Sequence, residues 1–164
     1  MPVISIKDAT HCDINDIQAI YKDYIENSQL TLETRVPSSL ELEEKVTHYQ
    51  ESHAFLLILM DQEIIGFAYA YPFSPRAAYQ HSANIAMYLL PDYDEFNLKN
   101  LLYQELENRL KAKEIINLLS CLPQQQKHQI DFLKSQGFVI RGDFPKSGRK
   151  FDQIWDLVWL SKEI

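Results

Sequence analysis

The apolar positions of this chain change period several times, and each change marks an element. "VISIKDA" (3–9) alternates apolar and polar residues and predicts a short strand. After it, Ile14, Ile17, Ile20, Tyr21, Tyr24 and Ile25 recur at helical spacing, with Asp13 as the expected N-cap. Pro37 and Ser38 or Ser39 open a second helix, "LELEEKVTHYQES", whose polar face is rich in glutamate. "AFLLILMD", the turn "DQE" and "IIGFAYAYPF" read as a β-hairpin. A third strand, "ANIAMYLLP", follows the connector "SPRAAYQHS".

Pro91 ends that strand, and the stretch "LLPDYDEFNLKNLLYQEL" (89–106) turns into a helix. Its periodicity puts Leu98, Leu101, Leu102, Leu106 and Leu110 on one face. "EIINLLSCL" (114–122) reads as a buried strand, and "QQQKHQIDFLKSQ" as a helix ended by Gly137. "FVIRGDF" and "QIWDLVWLSK" close the chain as a hairpin across "PKSGRKFD". The order is β-α-α-β-β-β-α-β-α-β-β, a mixed α/β fold, with no linker to divide residues 1–164 into more than one domain.

Composition narrows the function classes. The 46% hydrophobic and 24% charged residues are those of an ordinary soluble protein. No apolar run approaches the roughly 20 residues of a membrane span, and "MPVISIKDAT" lacks the regions of a signal peptide. A net charge of −7 argues against nucleic acid and anionic membranes as partners. Cys12 and Cys121 form no metal-spacing motif, so no metal is expected. Both read as reduced, buried thiols of a cytoplasmic protein.

The strand-to-helix junction after Pro91 raises the sharpest question. Such junctions hold anions, because unpaired backbone N–H groups converge there. This one carries Asp92, Asp94 and Glu95 and no glycine. Acidic residues in a first turn satisfy those N–H groups and complement the helix dipole. The residues alone therefore favour a helix capped by its own carboxylates over a phosphate cradle.

The stretches "YIENSQLTLETRVPS", "IIGFAYAYPFSPRAAYQHS", "LKSQGFVIRG" and "GRKFDQIWDLVWL" occur in an order and spacing that resemble one family. From about residue 3 to 161 the chain resembles the phosphinothricin and methionine-sulfone acetyltransferase branch of the GNAT acyltransferases. The resemblance implies the GNAT fold, acetyl-CoA as acyl donor, a small amine acceptor and a homodimer. It also implies a donor pyrophosphate on amides at the start of the central helix, in a pattern of Arg or Gln followed by glycines. Here the arginine position is Asp94, and the glycine positions are Glu95, Asn97 and Lys99. A unit charge about 5 Å from a phosphate, at an effective dielectric near 20, costs roughly 3 kcal/mol before screening.

The resemblance further supplies a list of candidates. On the donor side these are Leu89, Asn97, Lys99, Asn100 and Gln126. The family's proposed base, a glutamate, is replaced by Asn84, which has no basic group. Glu33 in "LTLETR" is the surviving carboxylate near the acceptor, and His81 is an imidazole of the kind used as a general base. Arg76 in "SPRAAY" could pair with an acceptor carboxylate, with Tyr79 and Tyr71 as pocket walls. A histidine of the family's last helix corresponds to Leu133. "GRKF" (148–151) and "WDL" (155–157) resemble a hairpin that shapes the acceptor pocket and a dimer contact. Three readings stay open: a small-molecule N-acetyltransferase, a catalytically degenerate domain that binds ligands or partners, and a GNAT domain with another donor in the same cleft.

Overall fold

The computed structural model describes residues 1–164. Seven strands form one mixed sheet in the order β1-β2-β3-β4-β5-β7-β6. They are β1 (Ile4–Asp8), β2 (Ala54–Met60), β3 (Glu63–Pro72), β4 (Ser82–Leu89), β5 (Asn117–Pro123), β6 (Val139–Lys150) and β7 (Gln153–Glu163). The helices α1 (Ile14–Asn27), α2 (Ser39–Ser52), α3 (Phe96–Lys111) and α4 (Lys127–Ser135) fall between them as the hydrophobic periods predict.

Alternation along the strands sends side chains to two faces, and each face has its own core. Leu56, Ile58, Ala68, Ile85 and Met87 meet α3 and α4 in a cluster of 24 buried residues. Phe55, Leu57, Phe67, Tyr69 and Tyr88 meet α1 and α2 in a cluster of 14. This second face is aromatic: Phe55, Phe67 and Tyr69 stack with centroids 5.0–6.2 Å apart.

Several local expectations need correction. Asp13 precedes α1 but caps nothing there. Its carboxylate turns back to the Thr10 N–H at 2.8 Å and the Lys7 ammonium at 3.1 Å. Ser38 does cap α2, its Oγ accepting from the Glu41 N–H at 3.1 Å. Leu101 faces solvent at 45% exposure, because a stripe of Leu98, Leu102, Leu106 and Leu110 already fills the helix–sheet seam. Cys12 is exposed rather than buried, and Cys121 is half-buried.

The last hairpin is longer than its hydrophobic pattern suggests. "PKSGRK" is not a connector: β6 runs through Lys150 with an irregularity between Phe144 and Gly148, and the turn is Phe151–Asp152. Both turn residues are left-handed, with φ of 56° and 55°. The extra length carries Gly148 and Lys150 over to the α1–α2 connection. A left-handed Gly137 (φ 99°) ends α4, with the Phe138 N–H returning to the Leu133 carbonyl at 3.0 Å.

Candidate active site

β4 and β5 are parallel neighbours over only three pairs, Ser82–Asn84 with Asn117–Leu119. Beyond Asn84 the strands diverge, and a cavity of about 350 Å³ opens between them. Ile85–Tyr88 line it from β4, Ser120–Leu122 from β5, and Gln129 and Leu133 from α4. Tyr21 of α1, Tyr69 and Tyr71 of β3, and Leu30–Glu33 of the α1–α2 connection complete the wall. A split at the C-terminal end of neighbouring strands is a recurrent ligand position in α/β sheets.

Glu33 is the one charged residue among those lining the cavity. Its backbone N–H donates to the Thr31 hydroxyl at 3.2 Å. Burial, reinforced by Tyr49, Tyr21, Cys121 and the Glu33 charge, pushes the Tyr71 hydroxyl up to about 12. Burial drives Tyr69 and Tyr88 well above the ordinary tyrosine value, and raises Tyr21 as well. Burial also lifts the Cys121 thiol to about 11, so it is a proton donor and not a ready nucleophile at neutral pH. The wall thus presents neutral O–H and S–H groups beside a single carboxylate.

Lys150 reaches this wall from β6. Its ammonium, 3% exposed as a residue, donates to the Ser28 carbonyl at 2.6 Å and the Thr31 carbonyl at 2.7 Å. Burial lowers its pKa, and the Glu33 charge opposes that shift.

The start of α3 does not cap itself as its carboxylates suggest. Glu95 sits at the N-cap but makes no side-chain cap bond, and no acid lies in the first turn. Asp94 instead pairs with the buried Lys99 ammonium at 3.0 Å, with His128 at 3.9 Å on its other oxygen. The first amide bonded within the helix frame is Lys99 N–H to the Glu95 carbonyl, at 3.0 Å. The N–H groups of Phe96, Asn97 and Leu98 donate to no protein acceptor. Free amides, with one carboxylate neutralised by Lys99, fit an anionic donor group better than the bare sequence does.

The sequence candidates divide. Glu33 and Tyr71 line the cavity together. Asn84 is 7% exposed at the last paired step before the split. Its Nδ2 donates to the Pro72 carbonyl at 3.4 Å and its Oδ1 has no partner. His81 lies outside the cavity, its Nδ1 within 2.9 Å of the Glu114 carbonyl where β4 meets the α3–β5 turn. Arg76 and Tyr79 are exposed in the β3–β4 connection, where Tyr79 packs edge-on to Phe73 with centroids 5.6 Å apart.

On the donor side, Lys99 and Asn97 lie in the first turn of α3, and Asn100 is half-buried on the same helix. Leu89 is 1% exposed, and its carbonyl is already taken by the Tyr24 hydroxyl. Gln126 precedes α4 without capping it by its side chain. Sequence reasoning passed over Gln129, 6% exposed on α4 and lining the cavity, and Lys150. For Lys150 the one available signal was its place in "GRKF".

Comparison with known proteins agrees with this architecture. The chain is 22% identical over 165 residues to the phosphinothricin N-acetyltransferase of Streptomyces coelicolor, covering 98% of this chain and 96% of that one. It is 25% identical over 159 residues to the L-methionine sulfoximine/L-methionine sulfone acetyltransferase of Pseudomonas aeruginosa, covering 95% and 92%. In fold it matches the Sinorhizobium meliloti GNAT phosphinothricin acetyltransferase solved with AcCoA. The TM-score is 0.93 at 23% identity, over 98% of this chain and 88% of that one. The family model described as acetyltransferase (GNAT) domain matches residues 6–159, and this chain belongs to that family.

Proposed function

We propose that this chain transfers an acetyl group from acetyl-CoA to the amine of a small, amino-acid-like acceptor. The observation that carries the reading is the cavity at the β4–β5 split, with Glu33 as its one carboxylate among neutral tyrosine hydroxyls. The names of the relatives, phosphinothricin and methionine sulfoximine acetyltransferases, support the acceptor class.

When bound, acetyl-CoA supplies an activated acyl carbonyl. The free amides of Phe96, Asn97 and Leu98, with Asp94 neutralised by Lys99, would hold its phosphate end. Glu33 would attract the acceptor's ammonium group and take its proton, directly or through water, so that the amine can attack. The unpartnered Asn84 Oδ1 could accept a hydrogen bond from that amine at the apex of the split. The protonated Tyr88, Tyr71 and Cys121 are the groups able to stabilise developing negative charge or return a proton. His81, outside the cavity with its Nδ1 at the Glu114 carbonyl, is given no role in this reading.

Titration calorimetry with acetyl-CoA and a thiol-release assay over amino-acid amines test this reading. Binding at micromolar level, turnover with phosphinothricin or methionine sulfone, and a loss of about 100-fold in Glu33→Gln are expected. Asn84, a neutral amide where the family carries its proposed base, favours the competing reading of a catalytically silent binding domain. Acetyl-CoA binding without turnover of any amine would establish that alternative.

The same proposal includes one domain over residues 1–164 and a homodimer. The sheet continuous from β1 to β7 supports the first. The second is supported by Val139, Ile140, Phe144 and Ile154, exposed at 39–55% along the β6 edge and its hairpin. Sedimentation equilibrium of Phe144→Glu against the parent tests the dimer, a monomer being expected only for the variant. Two free thiols suit a reducing, cytoplasmic compartment.

A further inference from the structure

Lys150 has an environment unusual for a lysine. It is 3% exposed and its ammonium makes no ion pair within 4.0 Å, so its charge is met by backbone carbonyls. Burying an ammonium is costly unless strong hydrogen bonds compensate. Both of its carbonyl partners belong to the α1–α2 connection, which has no helix or strand of its own to hold it. Ser28 ends α1, and Thr31 stands two residues before Glu33.

Neighbouring contacts act in the same sense. At Gly148 a Cβ atom would lie 2.9 Å from Leu32 Cδ1, so β6 approaches the segment closely on both sides of Arg149. The Trp155 indole N–H donates to the Lys150 carbonyl at 3.0 Å and fixes the strand end from which the ammonium reaches. Within the segment, the Leu30 N–H donates to Ser28 Oγ at 3.0 Å and the Glu33 N–H to Thr31 Oγ1 at 3.2 Å. The segment is therefore internally folded, and Lys150 is the side chain outside it that holds two of its carbonyls.

We propose that Lys150 is a positioning residue: by holding the Ser28 and Thr31 carbonyls it fixes the 28–33 segment, and with it Glu33, at the cavity wall. Acceptor handling is then coupled to the β6–β7 hairpin, although Lys150 itself does not line the cavity. The inference rests on the reading of Glu33 as the acceptor-side carboxylate, and its test separates the two.

Lys150→Met, Lys150→Arg, Glu33→Gln and the Met/Gln double variant are compared by amide hydrogen exchange and by steady-state kinetics. The kinetic probes are phosphinothricin and acetyl-CoA, each varied with the other saturating. In Lys150→Met, exchange at the Leu30 and Glu33 amides is expected to quicken about tenfold or more, with β2 and α3 unchanged. The kcat/KM for phosphinothricin should fall about tenfold, the KM for acetyl-CoA should hold, and Lys150→Arg should recover part of both losses. In the Glu33→Gln background the further loss should be under about twofold, because the two residues act as one unit.

Unchanged exchange at Leu30 and Glu33 would overturn the proposal outright. Faster exchange with losses that multiply in the double variant would overturn the link to Glu33. If phosphinothricin is not turned over at all, the functional reading of Glu33 fails, and exchange still decides whether Lys150 holds the segment. Should Lys150→Met not fold, Gly148→Ala presses on Leu32 from the same strand and should give the same pattern more mildly.

Discussion

Asn84 stands at the last pair between β4 and β5 with a buried, unpartnered Oδ1. An unsatisfied buried acceptor costs about 1–3 kcal/mol, whereas an apolar replacement of similar shape avoids that cost. Asn84→Val is therefore expected to stabilise the protein by about 1 kcal/mol in urea denaturation while lowering acetyl transfer. A loss of stability would mean that the Nδ2 bond to Pro72 outweighs the orphaned oxygen. Single-residue chemistry was legible in the sequence where it was local. Glu33 and Tyr71 were named as candidates because their flanking residues match a known pattern, and both line the cavity. Lys150 and Gln129 were not, since tertiary packing that no spacing rule encodes brings Gln129 to the cavity and Lys150 to the Thr31 carbonyl behind its wall.

The N-terminus of α3 shows how an element can be placed correctly and its electrostatics misread. The proline marked the end of the strand, and the leucine stripe, Leu101 apart, marked the buried face of a helix that begins at Phe96. First-turn acids normally cap or complement a helix, but Asp94 precedes the first turn and finds Lys99 five residues on. That pairing depends on how the chain bends after Pro91, so helical periodicity could not reveal it. Asp94→Asn removes a negative charge from beside the free amides while Lys99 keeps its own. CoA should bind about tenfold tighter, from a screened charge interaction at about 5 Å. Calorimetry reads this directly, and unchanged affinity would place the anion site elsewhere. Because Asp94 is 29% exposed, water should meet part of the Lys99 charge and the stability loss should stay modest.

At the scale of the whole molecule, the order of strands and helices along the chain followed from hydrophobic period, whereas the strand order within the sheet and the cleft did not. Each strand beside it reads as an ordinary strand; only the loss of pairing after Asn84 makes a site. That three-pair parallel joint is where β1–β4 and β5–β7 are knit into one sheet, the latter three strands being antiparallel among themselves. A seam so short is a weak link in cooperativity: the two halves are expected to lose structure less in concert than a fully laddered sheet would. A molecule lodged in the split touches both halves and acts as a wedge-shaped keystone. Acetyl-CoA at 100 times its Kd should add about 2.7 kcal/mol by mass action, and should also sharpen the calorimetric transition. A higher but equally broad melt would mean the halves were already a single unfolding unit.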